Sequence, residues 1–396
     1  MPRATLIFMQ ELTQSPTDPD FVQDPYPFYD RARAAGPLFR WADYGMACAS
    51  SHQAVSLILR DRRMGRQAPV GRAPDIPQHL AAFYACEAHS MLELEPPAHT
   101  RLRKLVLHAF TSRRIDALAP GIEDLCHRLI DGFPRGPFDL IDSYAKLVPV
   151  IVIARLMGLP ESRVDELLAW SNAMVGMYQA GRSRTKEDAA EMATQAFCDF
   201  LAVYIAEKRR NPADDLISEL IAAEEQGDRL STDELVSTCI LLLNAGHEAT
   251  VHGLGNAVKT LLEHDHREID AACVDELLRI DPPLHMFTRW VYEDLEIFGQ
   301  RFARGDRIGC LLGAANRDPA VYPDPDRFDP GRGGPAHLAF GAGIHFCVGA
   351  PLARLEMRIA LSSLMRHCPD LALAETPRYA DLYHFHGLER LMVRAF

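Results

Sequence analysis

The 396-residue chain lacks any apolar run approaching the roughly 20 residues that a membrane-spanning helix requires. The stretch Ala4–Met9 is too short for the apolar part of a signal peptide, and Leu147–Leu159 is interrupted by Pro149 and Arg155, so it reads as a buried helix. A basic excess is missing too. Forty-two Lys and Arg stand against 54 Asp and Glu, a formal charge of −12, which removes the usual signature of a nucleic-acid binder. The nine cysteines lie far apart, with no CxxC pair and no compact cluster. Most sit in apolar runs, as Cys239 does in VSTCILLL, and such thiols fit a reducing cytoplasm. No internal repeat or low-complexity linker divides the chain, and neither a flavin nor a nicotinamide fingerprint occurs in it.

What is present is material for a large, mainly helical core: 48% of the residues are apolar. Residues 1–45 read as an irregular lead-in with a short helix near Tyr26–Ala35. From about 98 to 265 the pattern is helical, punctuated at Gly136-Pro137 and Asn211-Pro212. Ser231-Thr232-Asp233-Glu234 has the form of a capping box, and the segment after it runs without proline to Glu263, which predicts one long helix over Thr232–Glu263. Its middle, CILLLNAGHEATVHGLGNA, is apolar on most sides and is expected to be buried. Strand-like pieces gather at about 36–60 and 290–312, followed by the meander DPAVYPDPDRFDPGR and a last helix over Ala350–Cys368. The expected class is mainly α with a minor β part, in one domain spanning residues 1–396.

The most informative stretch is Phe340-Gly341-Ala342-Gly343-Ile344-His345-Phe346-Cys347-Val348-Gly349, followed at once by a helix. Glycines let the backbone approach a flat macrocycle and turn amides toward a sulfur, and the helix start at Ala350 brings a positive dipole end that lowers a thiol pKa. Phe340 and Phe346 would wall such a site with apolar surface. Taken alone, Cys347 reads more readily as a small core residue beside a glycine turn. A dinucleotide loop is disfavoured because Phe346 stands where its third glycine belongs.

This segment resembles the haem-binding signature of the cytochromes P-450, F-x-x-G-x-x-x-C-x-G, and matches at every fixed position. The resemblance extends over nearly the whole chain. It implies a helical prism around haem b, the long helix at its centre, with the iron held by Cys347 and Phe340 and Gly349 beside it. Glu276-Leu277-Leu278-Arg279 resembles the family's E-x-x-R, a helical pair that an arginine of the meander joins; Arg327 holds the matching place. His99 and Arg103, in PPAHTRLRKLV, share a helix face and match the propionate-binding helix, with His345 and Arg289 at the other propionate positions.

In Ala245-Gly246-His247-Glu248-Ala249-Thr250 the resemblance implies a small pair, Ala245 and Gly246, that leaves room for haem and O2. An acid, Glu248, and then a hydroxyl carry protons from solvent to the site of oxygen activation. Here the family's usual threonine is Ala249. Thr250 stands one step round, about 100° away, and does not simply replace it. Substrate contacts are expected from Leu242, His285, Met286, Phe287 and Phe385, the histidines being equally open to a purely structural reading.

The implied activity is that of a monooxygenase that inserts one atom of O2 into a small, largely apolar organic substrate. Its electrons come from a ferredoxin with its reductase, and no nucleic acid or membrane is involved. A basic cluster of Arg101, Lys104, His108, Arg113, Arg114 and Arg354 offers a face for an acidic ferredoxin, or an ordinary solvated helix face. Within the same fold the alternatives are a peroxide-driven or other non-oxygenase haem-thiolate enzyme. Outside catalysis, the alternative is a haem gas sensor.

Overall fold

Ser231 opens the central helix as a true capping box: its hydroxyl accepts from the Glu234 amide at 3.1 Å, and the Glu234 carboxylate accepts from the Ser231 amide at 2.9 Å. The helix runs Thr232–Glu263, as the sequence predicts. This computed structural model describes residues 9–395 except 74, 180–181 and 226–229; the side chains of 108–109 and 223–225 also lie outside the description, as does the stretch Ala4–Phe8.

The central helix packs against the helices Leu147–Met157, Val164–Val175, Arg184–Arg210, Ala271–Ile280 and Ala350–His367, which surround it with apolar side chains. That is the setting expected of a helix apolar on most sides. Leu243, Leu254 and Leu261 are each at most 1% exposed, so truncating any of them to alanine should cost about 2–5 kcal/mol. No helix among the described residues is long and apolar enough to cross a membrane.

Both strand-rich stretches join one six-stranded sheet, in the spatial order Glu11–Leu12, Leu38–Trp41, Met46–Ala49, Arg307–Leu311, Met286–Val291, Met64–Gly65. The boundaries differ from the sequence expectation. The first stretch ends at Ala49, because the Ser51 hydroxyl accepts from the Ala54 amide and starts the helix His52–Arg60. The second begins at Met286, which pairs with Leu311 in an antiparallel ladder running to Trp290 opposite Arg307. That ladder positions the site, since Phe287 and Arg289 then share one face of their strand and Met286 takes the other. The last helix, Ala350–His367, starts directly after the cysteine loop with Gly349 as its N-cap.

Candidate active site

The loop before Cys347 is shaped by two left-handed glycines, Gly341 at φ 69° and Gly343 at φ 75°. At Gly343 a Cβ would fall 2.3 Å from the Leu59 carbonyl oxygen, so no other residue fits there without displacing backbone. The Cys347 amide donates to the Phe340 carbonyl at 3.0 Å, closing the loop. The sulfur accepts from the amides of Gly349 and Ala350 at the helix start. Burial nevertheless pushes the thiol pKa up, although these amides and the charges of Arg103 and Arg354 pull it down. The helix end thus acts in the expected direction, against burial, and its donors are in place for a thiolate that a metal would stabilise. Of the nine cysteines only Cys347 has an exposed side chain, although protein surrounds it, which marks it as lining an interior cleft.

The central helix has a matching opening. Ala245, at its middle, is exposed, and Leu241, Glu248, Ala249 and His252 on the same face are partly open. Leu242, Leu243, His247 and Thr250 beside them are closed. An exposed alanine at the centre of an otherwise buried helix means that a cleft runs along that face.

Basic side chains gather at the cysteine loop. His99 and Arg289 are each 2% exposed. The His99 Nδ1 has no hydrogen-bond partner among the described residues, and Arg289 donates to the Thr288 carbonyl at 2.9 Å. The Arg103 guanidinium reaches the Phe346 carbonyl at 2.6 Å, and the rings of His99 and His345 stand 4.4 Å apart. Burial, with His345 and Arg103 nearby, holds the His99 pKa down at about 4; burial also lowers that of Arg289. Crowded, desolvated donors call for an anion. The paired carboxylates of the haem that the resemblance implies answer that need, and the open sulfur supplies its iron ligand. The site residues therefore fit that cofactor. Sequence reasoning did not single out Glu95, whose carboxylate holds the His345 Nε2 at 2.9 Å.

Beneath the loop, Glu276 and Arg279 form a buried bidentate pair at 2.6 and 2.8 Å. The third member is Arg332, not Arg327. Arg332 Nε approaches Glu276 Oε1 at 3.3 Å, and its Nη2 donates to the carbonyls of Asp324 at 3.0 Å and Arg327 at 2.7 Å. The Arg327 side chain is exposed and only its carbonyl takes part, because the meander turns at Phe328 and Asp329 and brings the later arginine inward. Spacing along an irregular loop carried no such information.

Glu248 lies between two imidazoles, with His252 Nε2 3.3 Å from Oε1 and His247 Nε2 3.5 Å from Oε2. Burial opposes its charge, but the hydrogen bond from His252 and the neighbouring His252, His247 and Lys146 hold the carboxyl below its ordinary range. His247 is itself kept neutral by burial, which lowers its pKa. The i,i+4 spacing of Glu248 and His252 was the signal available for this contact. Thr250 is buried and its hydroxyl donates to the Gly246 carbonyl at 3.4 Å, one turn back, away from the open face.

The expected substrate set divides. Phe287 and Phe385 are partly open, and Phe287 lies against Gly341, where a Cβ would meet its ring at 3.1 Å. His285 and Met286 are 0% and 4% exposed and belong to an aromatic core with Tyr29, Trp41 and Tyr383; the strand pleat turns Met286 away from Phe287. Leu242 is also buried, and Leu241 takes its place on the open face. In the basic cluster, Arg101 pairs with Glu234, Arg114 with Asp214 and Glu219, and Arg354 with Asp275; Arg113 is exposed, and the side chain of His108 lies outside the described residues.

The model of the cytochrome P450 family matches residues 265–373, which contain the Glu276–Arg279 pair and the cysteine loop. The chain is 37% identical over 401 residues to the cytochrome P450 monooxygenase PikC of Streptomyces venezuelae, covering 95% of this chain and 92% of that protein. It is 36% identical over 406 residues to the polyketide biosynthesis cytochrome P450 PksS of Bacillus subtilis, covering 97% and 99%. Among solved structures, P450BioI in complex with a hexadec-9Z-enoic acid ligated acyl carrier protein superposes with a TM-score of 0.89 at 33% identity, covering 95% of this chain and 100% of that one. A central helix opened at one alanine, an exposed cysteine among amide donors and likeness over nearly the full length agree: the chain belongs to the cytochrome P450 family and is a haem-binding monooxygenase.

Proposed function

We propose that Cys347 holds the iron of haem b and that the enzyme inserts one atom of O2 into a small, largely apolar organic substrate, with electrons from a ferredoxin and its reductase. The observation that carries this reading is the opening of Ala245 and Cys347 to a cleft in an otherwise closed core. When bound, the haem supplies oxygen activation, which a thiolate ligand favours by donating electron density to the iron. His99, Arg103, Arg289 and His345 hold its propionates. The Glu276–Arg279–Arg332 cluster keeps the cysteine loop in register.

Glu248 receives a proton at Oε1 from His252 and presents it toward the open face beside Ala245. With no hydroxyl on Ala249, the last transfer falls to water or to a hydroxyl of the substrate. Leu241, Leu284, Phe287 and Phe385 supply apolar wall, in keeping with the fatty acyl chain named for the P450BioI complex. The nine free thiols favour a cytoplasmic setting.

The ferrous carbon-monoxide difference spectrum tests the ligand. Wild type should show the red-shifted thiolate band and Cys347→Ser should lose it; a band retained in the variant would move the iron to another cysteine. Compounds that shift the haem from low to high spin are then offered with NADH, a surrogate ferredoxin and reductase. Oxidation only with added peroxide would replace the ferredoxin reading. No oxidation under either condition would leave a sensor.

A further inference from the structure

Away from the cysteine loop, Asp281, His285 and His386 bring one ligand atom each within 4.8 Å of one another. Asp281 follows the helix Ala271–Ile280, His285 precedes the strand Met286–Val291, and His386 comes from the C-terminal loop. All three side chains are at most 5% exposed. Asp281 Oδ1, His285 Nε2 and His386 Nε2 make no hydrogen bond among the described residues. The His386–Asp281 approach is 3.6 Å, too long for one.

The surrounding hydrogen bonds engage the second atom of two of these side chains. The Tyr29 hydroxyl stands 2.7 Å from His285 Nδ1 and 3.1 Å from the Tyr383 hydroxyl, so Nε2 is the ring nitrogen of His285 left to face the cluster. The Tyr379 hydroxyl donates to Asp281 Oδ2, leaving Oδ1 bare. Three buried polar atoms, from one carboxylate and two imidazoles, thus converge in a dry interior without a hydrogen bond among them, an arrangement that is costly without an electrophile at its centre.

We propose that this cluster is a binding site for a divalent transition metal of the zinc class, ligated by Asp281, His285 and His386. Zinc takes nitrogen and oxygen ligands at about 2.0–2.2 Å in tetrahedral array, so neighbouring ligand atoms stand roughly 3.3–3.5 Å apart. The 3.6 Å approach is already close to that spacing. Tyr29 and Tyr379 orient the ligands through their second atoms, as outer partners of metal sites do. The site would tie two distant segments, residues 281–285 and the loop of His386, together behind the wall of the cleft, since Leu284 pairs with Phe385 next to it. It does not depend on the proposed reaction.

Metal content decides the matter. Haem-loaded protein grown with added zinc is dialysed against EDTA and measured by mass spectrometry, and by X-ray absorption at the zinc edge, which haem iron does not obscure. The expected result is about one zinc per haem, with nitrogen and oxygen neighbours near 2.0–2.1 Å. His285→Ala and His386→Ala should each lower zinc per haem at least tenfold, and His384→Ala, beside the cluster, should leave it unchanged. Wild type with full haem but less than about one zinc per ten haems would overturn the proposal and leave an ordered water at the centre. Sulfur neighbours, or zinc that survives in both variants, would overturn it equally.

Discussion

Two clusters of buried charge flank the cleft, and they are built in opposite ways. Glu276 and Arg279 are joined at 2.6 and 2.8 Å, Arg332 Nε approaches Glu276 at 3.3 Å, and Arg279 also reaches the carbonyls of Asn316 and Pro325 at 2.9 and 2.8 Å. Nearly every donor in that cluster is committed to a fixed acceptor. Glu248 instead has two imidazole contacts of 3.3 and 3.5 Å, and it borders an open face. A network of committed bonds between groups that stay charged serves as scaffold, because moving any member strands another. A carboxylate held only by imidazole contacts and bordering an open face is placed to exchange a proton. Both clusters would look alike in a count of buried charges; partner chemistry separates them.

The sharpest break in the comparison is Glu276→Ala. It leaves Arg279 and Arg332 as buried cations, and we expect a loss of about 3–5 kcal/mol with little haem-loaded protein recovered. Melting temperature and haem content measure this, and near-normal values would demote the cluster to an ordinary ion pair. Arg332→Ala should cost about 2–3 kcal/mol, while Arg327→Ala stays within about 0.5 kcal/mol because its side chain is exposed. The reverse ranking would restore the arginine that spacing alone suggested.

On the other side, Glu248→Gln should change stability by less than about 1 kcal/mol yet reduce product formation by about a hundredfold or more, and His252→Ala should act in the same direction. Product formed per NADH oxidised, followed across a substrate series, is the readout. Ala249→Thr should alter that ratio most for substrates without a hydroxyl, and an equal ratio for all of them would make the missing hydroxyl irrelevant.

A pH effect is expected at Glu87, a third buried carboxylate, which burial raises from the ordinary 4.5 to about 7 against a hydrogen bond from the Tyr178 hydroxyl at 2.8 Å. Between those values the folded state holds a proton that the unfolded chain has released, so stability falls as pH rises through that window. Glu87→Gln should flatten the melting temperature between about pH 4.5 and 7; an unchanged slope would exclude this carboxyl as its cause.

Residues close in sequence were legible from sequence. The capping box at Ser231, the Glu276–Arg279 pair one helical turn apart and the glycine pattern before Cys347 are local, and helix geometry or backbone sterics fix their outcome within a few residues. The class, the long central helix and the family followed from those short-range rules together with the signature. Tertiary structure alone decided which of several similar residues faced where. Arg332 displaced Arg327, Leu241 displaced Leu242, and His285 and Met286 went into the aromatic core, each through a loop path or strand pleat that spacing does not encode. The same holds for Glu95 beside His345, and for His285 brought next to His386 across 100 residues of chain. Such contacts are set by how whole elements pack, because the free energy that fixes them is the burial of many other side chains rather than any preference of their own.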